Sequence, residues 1–114
     1  MNGITTHILD TARGRPAAGV AVTLDRFDDS VGWHSVGQAD TDDDGRVRTW
    51  TPDSGTLESG LFRLTFNTGR YFEANGVRGF YPVVIIVFHV DAGEAHYHVP
   101  VLLNPFGYTT YRGS

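Results

Sequence analysis

Apolar and polar positions alternate with a period of two along most of this chain, and that spacing predicts strands. Residues 4–9 read as a first strand, ended by the polar run from Asp10 to Pro16. Over residues 20–27, Val20, Val22 and Leu24 share one face, with Thr23 and Asp25 on the other. Over residues 61–66, Phe62, Leu64 and Phe66 point inward and Arg63 and Thr65 outward. Residues 33–36 and 46–50 flank the Asp44-Gly45 pair, a hairpin signal. The run 82–90 is almost wholly apolar, so both its faces are expected to be covered, by the second sheet and a helix or by a partner subunit. Residues 96–103 and 108–111 complete a set of about eight strands. Only residues 68–74 read as a helix. Short strands with turn residues between them predict an all-β fold, an antiparallel β-sandwich or barrel.

Fourteen glycines and five prolines are spread as punctuation rather than clustered, with no internal repeat. A chain of 114 residues is expected to make one domain, 1–114, with a single core. It holds no run of about 18 apolar residues, so no membrane-spanning helix is expected. The opening residues lack a basic region followed by an apolar stretch, so a cytoplasmic protein without a signal peptide is expected. The absence of cysteine removes disulfides, thiolate zinc sites and cysteine nucleophiles together. A formal charge of −4 and no basic cluster argue against a nucleic-acid partner.

Several short patterns invite chemistry. Asp40, Asp42 and Asp44 followed by Gly45 open like a calcium loop, but its twelfth position is Thr51 and Arg46 and Arg48 stand among the ligands, so an acidic turn is expected. His96 and His98 fall on one strand face. They fit half of a zinc site completed by His7, a catalytic pair, or polar residues on a wet face. A neutral imidazole titrating near pH 6.5 is a natural general base. His34 is assigned to the surface and His89 to the core. Arg46 shares a strand face with Arg48 and Trp50 and gains importance only if the fold sets it against imidazoles. There is no Gly-x-Ser-x-Gly elbow, phosphate loop or dinucleotide fingerprint.

The final residues, Tyr111, Arg112, Gly113 and Ser114, follow the apolar run 99–103 with no linker. A short solvated end is one reading, and a tail held in place as part of a site is the other.

The segment THILDTARG (residues 6–14) resembles the opening signature of the transthyretin-related 5-hydroxyisourate hydrolases, and HYHVPVLLNPFGYTTYRGS (96–114) resembles their closing one. DGR (44–46) and FRLTFNTGRYF (62–72) are similar to further family patterns, so the resemblance spans nearly the whole chain. The terminal Tyr-Arg-Gly-Ser is its most specific part, because it separates the hydrolases from transthyretin proper. Asn104 departs from the more usual serine. The resemblance implies a transthyretin-like two-sheet antiparallel sandwich with one short helix, assembled as a homotetramer, a dimer of dimers, with sites in a channel between dimers. It implies hydrolysis of 5-hydroxyisourate, a purine-derived small molecule, to 2-oxo-4-hydroxy-4-carboxy-5-ureidoimidazoline on the route from urate to allantoin, with no cofactor and no metal. By motif, it implies His7, Arg46, His98 and Ser114 as catalytic residues, and these with Tyr111, Arg112 and Gly113 as the substrate-binding set. Which histidine is the base stays open, as does whether Ser114 acts through its hydroxyl or a carboxylate. A non-catalytic small-ligand carrier and a zinc protein using His7, His96 and His98 are the competing readings.

Overall fold

A computed structural model describes residues 3–52, 57–91 and 93–114. Met1 and Asn2, part of the opening segment read for a leader, lie outside the described residues. The elements run β1 (Ile4–Asp10), β2 (Arg15–Pro16), β3 (Ala21–Asp28), β4 (Gly32–Asp40), β5 (Arg46–Val47), β6 (Gly60–Phe66), α1 (Thr68–Ala74), β7 (Val84–Val90), β8 (Tyr97–Asn104) and β9 (Gly107–Thr110). They form two sheets. One is ordered β2-β1-β8-β9 with β5 also on β1, and the other β4-β3-β6-β7. β2 and β5 take successive parts of one β1 edge, Leu9 opposite Pro16 and His7 opposite Arg46. The sheets are antiparallel except at one pair: β1 and β8 run parallel, with Thr5 beside His98 and His7 beside Pro100. Local patterning holds no sign of that pairing, because it joins strands some 90 residues apart.

Alternation sets the layers. On β1, Ile4, Thr6, Ile8 and Asp10 are buried, whereas Thr5, His7 and Leu9 lie on the outer face, partly covered. On β8, Tyr97, Val99, Val101 and Leu103 turn inward and His98 outward. The opposing sheet supplies Val22, Leu24, Phe62, Leu64, Phe66 and Val84, all at the core. Each such side chain contributes about 1.5–3 kcal/mol by leaving water. Buried polar atoms at the β1 core are paired: Thr6 Oγ1 donates to the Val99 carbonyl at 2.6 Å and Trp50 Nε1 to the Ile4 carbonyl at 2.8 Å. Asp25 lies opposite Arg63 on the neighbouring strand and is sheltered by a 2.9 Å ion pair with it. Helix α1 begins under Asn67, whose side chain accepts from the Arg70 N–H, and buries Tyr71 and Phe72. No described helix is long and apolar enough to cross a membrane.

Three expectations change. The Asp44-Gly45 turn does not join a hairpin of 33–36 with 46–50, since β4 pairs with β3 while β5 crosses to β1 in the other sheet. The turn closes on itself: the Asp42 carboxylate accepts from the Asp44 and Arg46 N–H groups at 2.9 Å, and Gly45 takes φ +74° tight against the Ile8 carbonyl. β7 is not covered on both faces by this chain's own sheet and helix, which leaves a partner subunit as the remaining alternative. It is an edge strand of its sheet, and the alternate residues Ile85 and Val87 stay 48% and 51% exposed while Val84, Ile86 and Val90 are buried. Alternation carries His89 outward with them, so it is exposed rather than in the core. His34 is exposed as expected.

Candidate active site

The outer face of the β5-β1-β8 strip gathers three of the candidate site residues. Register partners on adjacent strands present side chains to the same face, so Arg46 stands beside His7, and His98 lies diagonally across on β8. Three residues far apart in sequence are thus brought together by strand order. Arg48 remains near Arg46 but is drawn onto Asp42 at 2.7 Å, and the strand ends at Val47. Trp50 therefore does not share the Arg46 face; it turns into the core.

The tail is held. The Gly113 N–H donates to the His98 carbonyl at 2.8 Å, and Thr110 Oγ1 donates to the Pro100 carbonyl at 2.8 Å. Only a glycine fits at 113, since a Cβ there would lie 2.7 Å from Cδ2 of His98 and 3.1 Å from Cγ of Pro100. Two hollows result, each bordered by His98 and Ser114. One, of about 240 Å³, adds Arg46, Arg48 and His96, and the other, of about 200 Å³, adds His7, Leu9 and Tyr111. Arg112 does not join them. Its guanidinium stands 4.5 Å over the Tyr97 ring and 3.7 Å from the Glu94 carboxylate.

Both histidines titrate below the ordinary imidazole range. Burial is the main cause for His7, with the Arg46 charge second, partly opposed by the Asp44 backbone and the Asp44 and Asp42 carboxylates. Burial also leads for His98, followed by Arg46, His96 and His7. Both rings are consequently neutral near pH 7, the state a general base needs. The set offers proton acceptors, a fixed cation for a developing oxyanion, and a hydroxyl at the rim.

Thr5 was missed by sequence reasoning. Its Oγ1 lies 2.7 Å from Nδ1 of His98 and 3.1 Å from Nε2 of His96. Alternation from His7 places it on the same face, which was the available signal. The rings of His96 and His98 are nearly parallel with centroids 6.4 Å apart. Among the described residues, no three His, Cys, Asp or Glu side chains are placed to share a metal ion.

Comparison with known proteins gives a consistent result. The model described as the HIUase/Transthyretin family matches residues 4–113. A probable 5-hydroxyisourate hydrolase of Schizosaccharomyces pombe is 45% identical over 113 residues, covering 97% of this chain and 90% of the relative. Among solved structures, the 5-hydroxyisourate hydrolase of Klebsiella pneumoniae superposes with a TM-score of 0.84 at 34% identity, covering 97% of this chain and 98% of that one. Transthyretin from Sparus aurata superposes with 0.88 at 28% identity, covering 99% and 97%. Backbone shape does not separate the two kinds of neighbour; the side chains on the outer strip have to.

Proposed function

The chain belongs to the HIUase/Transthyretin family, and from that premise we propose that it is an enzyme that hydrolyses 5-hydroxyisourate, with residues 1–114 as one hydrolase domain. The observation that carries this reading over a carrier role is the convergence of His7, His98 and Arg46 on one sheet face, with the tail pinned to His98. A pocket for a passive ligand has no use for two neutral imidazoles beside a guanidinium.

In the reaction, His98, helped by His7, takes a proton from water as the water oxygen bonds to a ring carbonyl carbon. Arg46 orients the substrate and stabilises the charge gathering on the carbonyl oxygen. The carbon–nitrogen ring bond then breaks. The carbon is left as a carboxyl group, and the departing ureido nitrogen takes the proton held by the imidazole, giving 2-oxo-4-hydroxy-4-carboxy-5-ureidoimidazoline. Tyr111 and the tail from Arg112 to Ser114 close the pocket, with Gly113 letting the tail approach and Ser114 hydrogen-bonding the substrate. Water attack of this kind needs a base, oxyanion support and shape, all of which side chains supply.

The proposed assembly is a homotetramer, a dimer of dimers, in the cytoplasm. Exposed Ile85 and Val87 on an edge strand support it, because an uncovered apolar edge invites pairing. So does the openness of both hollows on a sheet face that a neighbouring subunit would roof. Gel filtration should give about 50 kDa, four copies of a 12.5 kDa chain.

The deciding experiment follows the decay of freshly generated 5-hydroxyisourate with and without chelator. Catalysed decay that survives dialysis against chelator is the expected result. No acceleration would favour a carrier, and loss restored only by zinc would favour a metal site on His7, His96 and His98.

A further inference from the structure

Thr5 sits between two imidazoles in a way that the reaction above leaves unused. As the register partner of His98 on the parallel neighbour strand, it leaves the sheet beside that ring. Its Oγ1 lies within hydrogen-bond reach of His98 Nδ1 (2.7 Å) and His96 Nε2 (3.1 Å). The opposite edge of the His98 ring, at Cδ2, abuts Gly113. The ring is held on two sides, and Nε2, the atom next to Cδ2, is the nitrogen left for the hollows that His98 borders.

A neutral imidazole has one N–H and one bare nitrogen, and only the bare nitrogen accepts a proton. If the Thr5 hydroxyl donates to Nδ1, the ring proton resides on Nε2 and His98 faces water as a donor. If the hydroxyl accepts from Nδ1–H, Nε2 presents its lone pair, and the hydroxyl proton is left to go to His96 Nε2. Each relay satisfies the same three groups, but only the second makes a base of His98, so the choice between them rests on the hydrolytic reading. The second also improves during reaction, since a bond from Nδ1–H strengthens when Nε2 takes a proton and the ring becomes cationic.

We infer that Thr5 is a positioning residue, whose hydroxyl accepts from His98 Nδ1–H and donates to His96 Nε2, fixing His98 in the tautomer that presents Nε2 to the attacking water. The proton leaves water for Nε2 and returns from Nε2 to the departing nitrogen; Thr5 neither gains nor loses one.

The test combines ¹⁵N-histidine NMR with kinetics on the wild type, Thr5→Val and Thr5→Ser. The wild type and Thr5→Ser should show His98 protonated at Nδ1. Thr5→Val, of nearly equal shape, should shift the ring towards the Nε2–H form and lower kcat about tenfold, the order expected for one lost hydrogen bond, with a smaller change in KM. A wild-type ring protonated at Nε2 would overturn the inference. So would a Thr5→Val enzyme with unchanged tautomer and kcat, or a Thr5→Ser enzyme that behaves like Thr5→Val, which would make the methyl group the cause. The tautomer is read without substrate. An Nδ1–H ring in a chain that fails to accelerate 5-hydroxyisourate decay would therefore sink the hydrolase reading and leave the Thr5 contact standing.

Discussion

Strand β1 carries two polar constellations, one on each face, and they are built on opposite rules. On the inner face Asp10 is 2% exposed and fully occupied: Oδ2 accepts from the Tyr71 hydroxyl at 2.8 Å, and Oδ1 from the Ala12 and Arg13 N–H groups at 3.1 Å. Burial and the Asp10 carboxylate push the Tyr71 phenol up, which keeps its proton in place as a donor. On the outer face His7 and His98 are neutral, and His98 gives one nitrogen to Thr5 while bordering open hollows with the rest of its ring. A buried polar group with every bond made contributes stability, and a positioned group with a bond still to make is available for chemistry. The short segment Thr6 to Arg13 serves both, with His7 on one side and Asp10 on the other.

The comparison breaks most sharply at His98. His98→Ala should lower kcat by about 10²- to 10⁴-fold, the range for a lost general base, with circular dichroism and gel filtration unchanged. His96→Ala should cost much less, because that ring supports His98 through Thr5 rather than taking the proton itself; a dead His96→Ala beside a near-normal His98→Ala would reverse the assignment of the base. Asp10→Ala should do the opposite. It strands the Tyr71 hydroxyl and two backbone N–H groups, so denaturant unfolding should show a loss of about 2–4 kcal/mol while turnover per folded molecule changes little. If Asp10→Ala instead spared stability and abolished turnover, the division between the faces would be wrong.

Removing residues 112–114 should leave fold and assembly intact, since a chain end adds few core contacts, and should raise KM and blunt substrate discrimination, by about tenfold in kcat/KM. The smallest effect is expected in pH dependence. Because the His7 and His98 pKa values are lowered in the fold, the acid limb of kcat/KM should fall below the ordinary imidazole value of about 6.5. The linkage has a definite sign. The unfolded chain takes up these protons first as pH drops, so stability from the neutral rings is complete above about 6.5 and declines as pH falls through the lowered folded values. An acid limb above 6.5 would argue against either ring as the base.

Patterning alone made much of the scaffold legible. The inward Phe62, Leu64 and Phe66 and the helix at Thr68–Ala74 stand where alternation and the break in it placed them. Long-range pairing was not legible. The Asp44-Gly45 turn closes over four residues and says nothing of which sheet the chain enters next, so it suggested a hairpin where the strands diverge. An apolar run such as β7 reads the same whether a partner or the solvent lies beyond it. For the site, alternation put His96 and His98 on one face, but bringing His7, Arg46 and His98 together required the family resemblance. Thr5 escaped notice because a lone threonine beside a histidine motif has no chemistry until the parallel register sets it against the ring.

That register has a consequence for how the molecule comes into being. While a ribosome extends the chain, β3, β4 and β6 can zip together from near neighbours, and β7 pairs with β6 after the intervening helix α1. β1 must wait with one edge open until β8 arrives, because Thr5 and His98 are separated by 93 positions. Docking β1 against β8 thus both joins the two halves of their sheet and sets Thr5 beside His98, so turnover of 5-hydroxyisourate would report that this long-range pairing has formed.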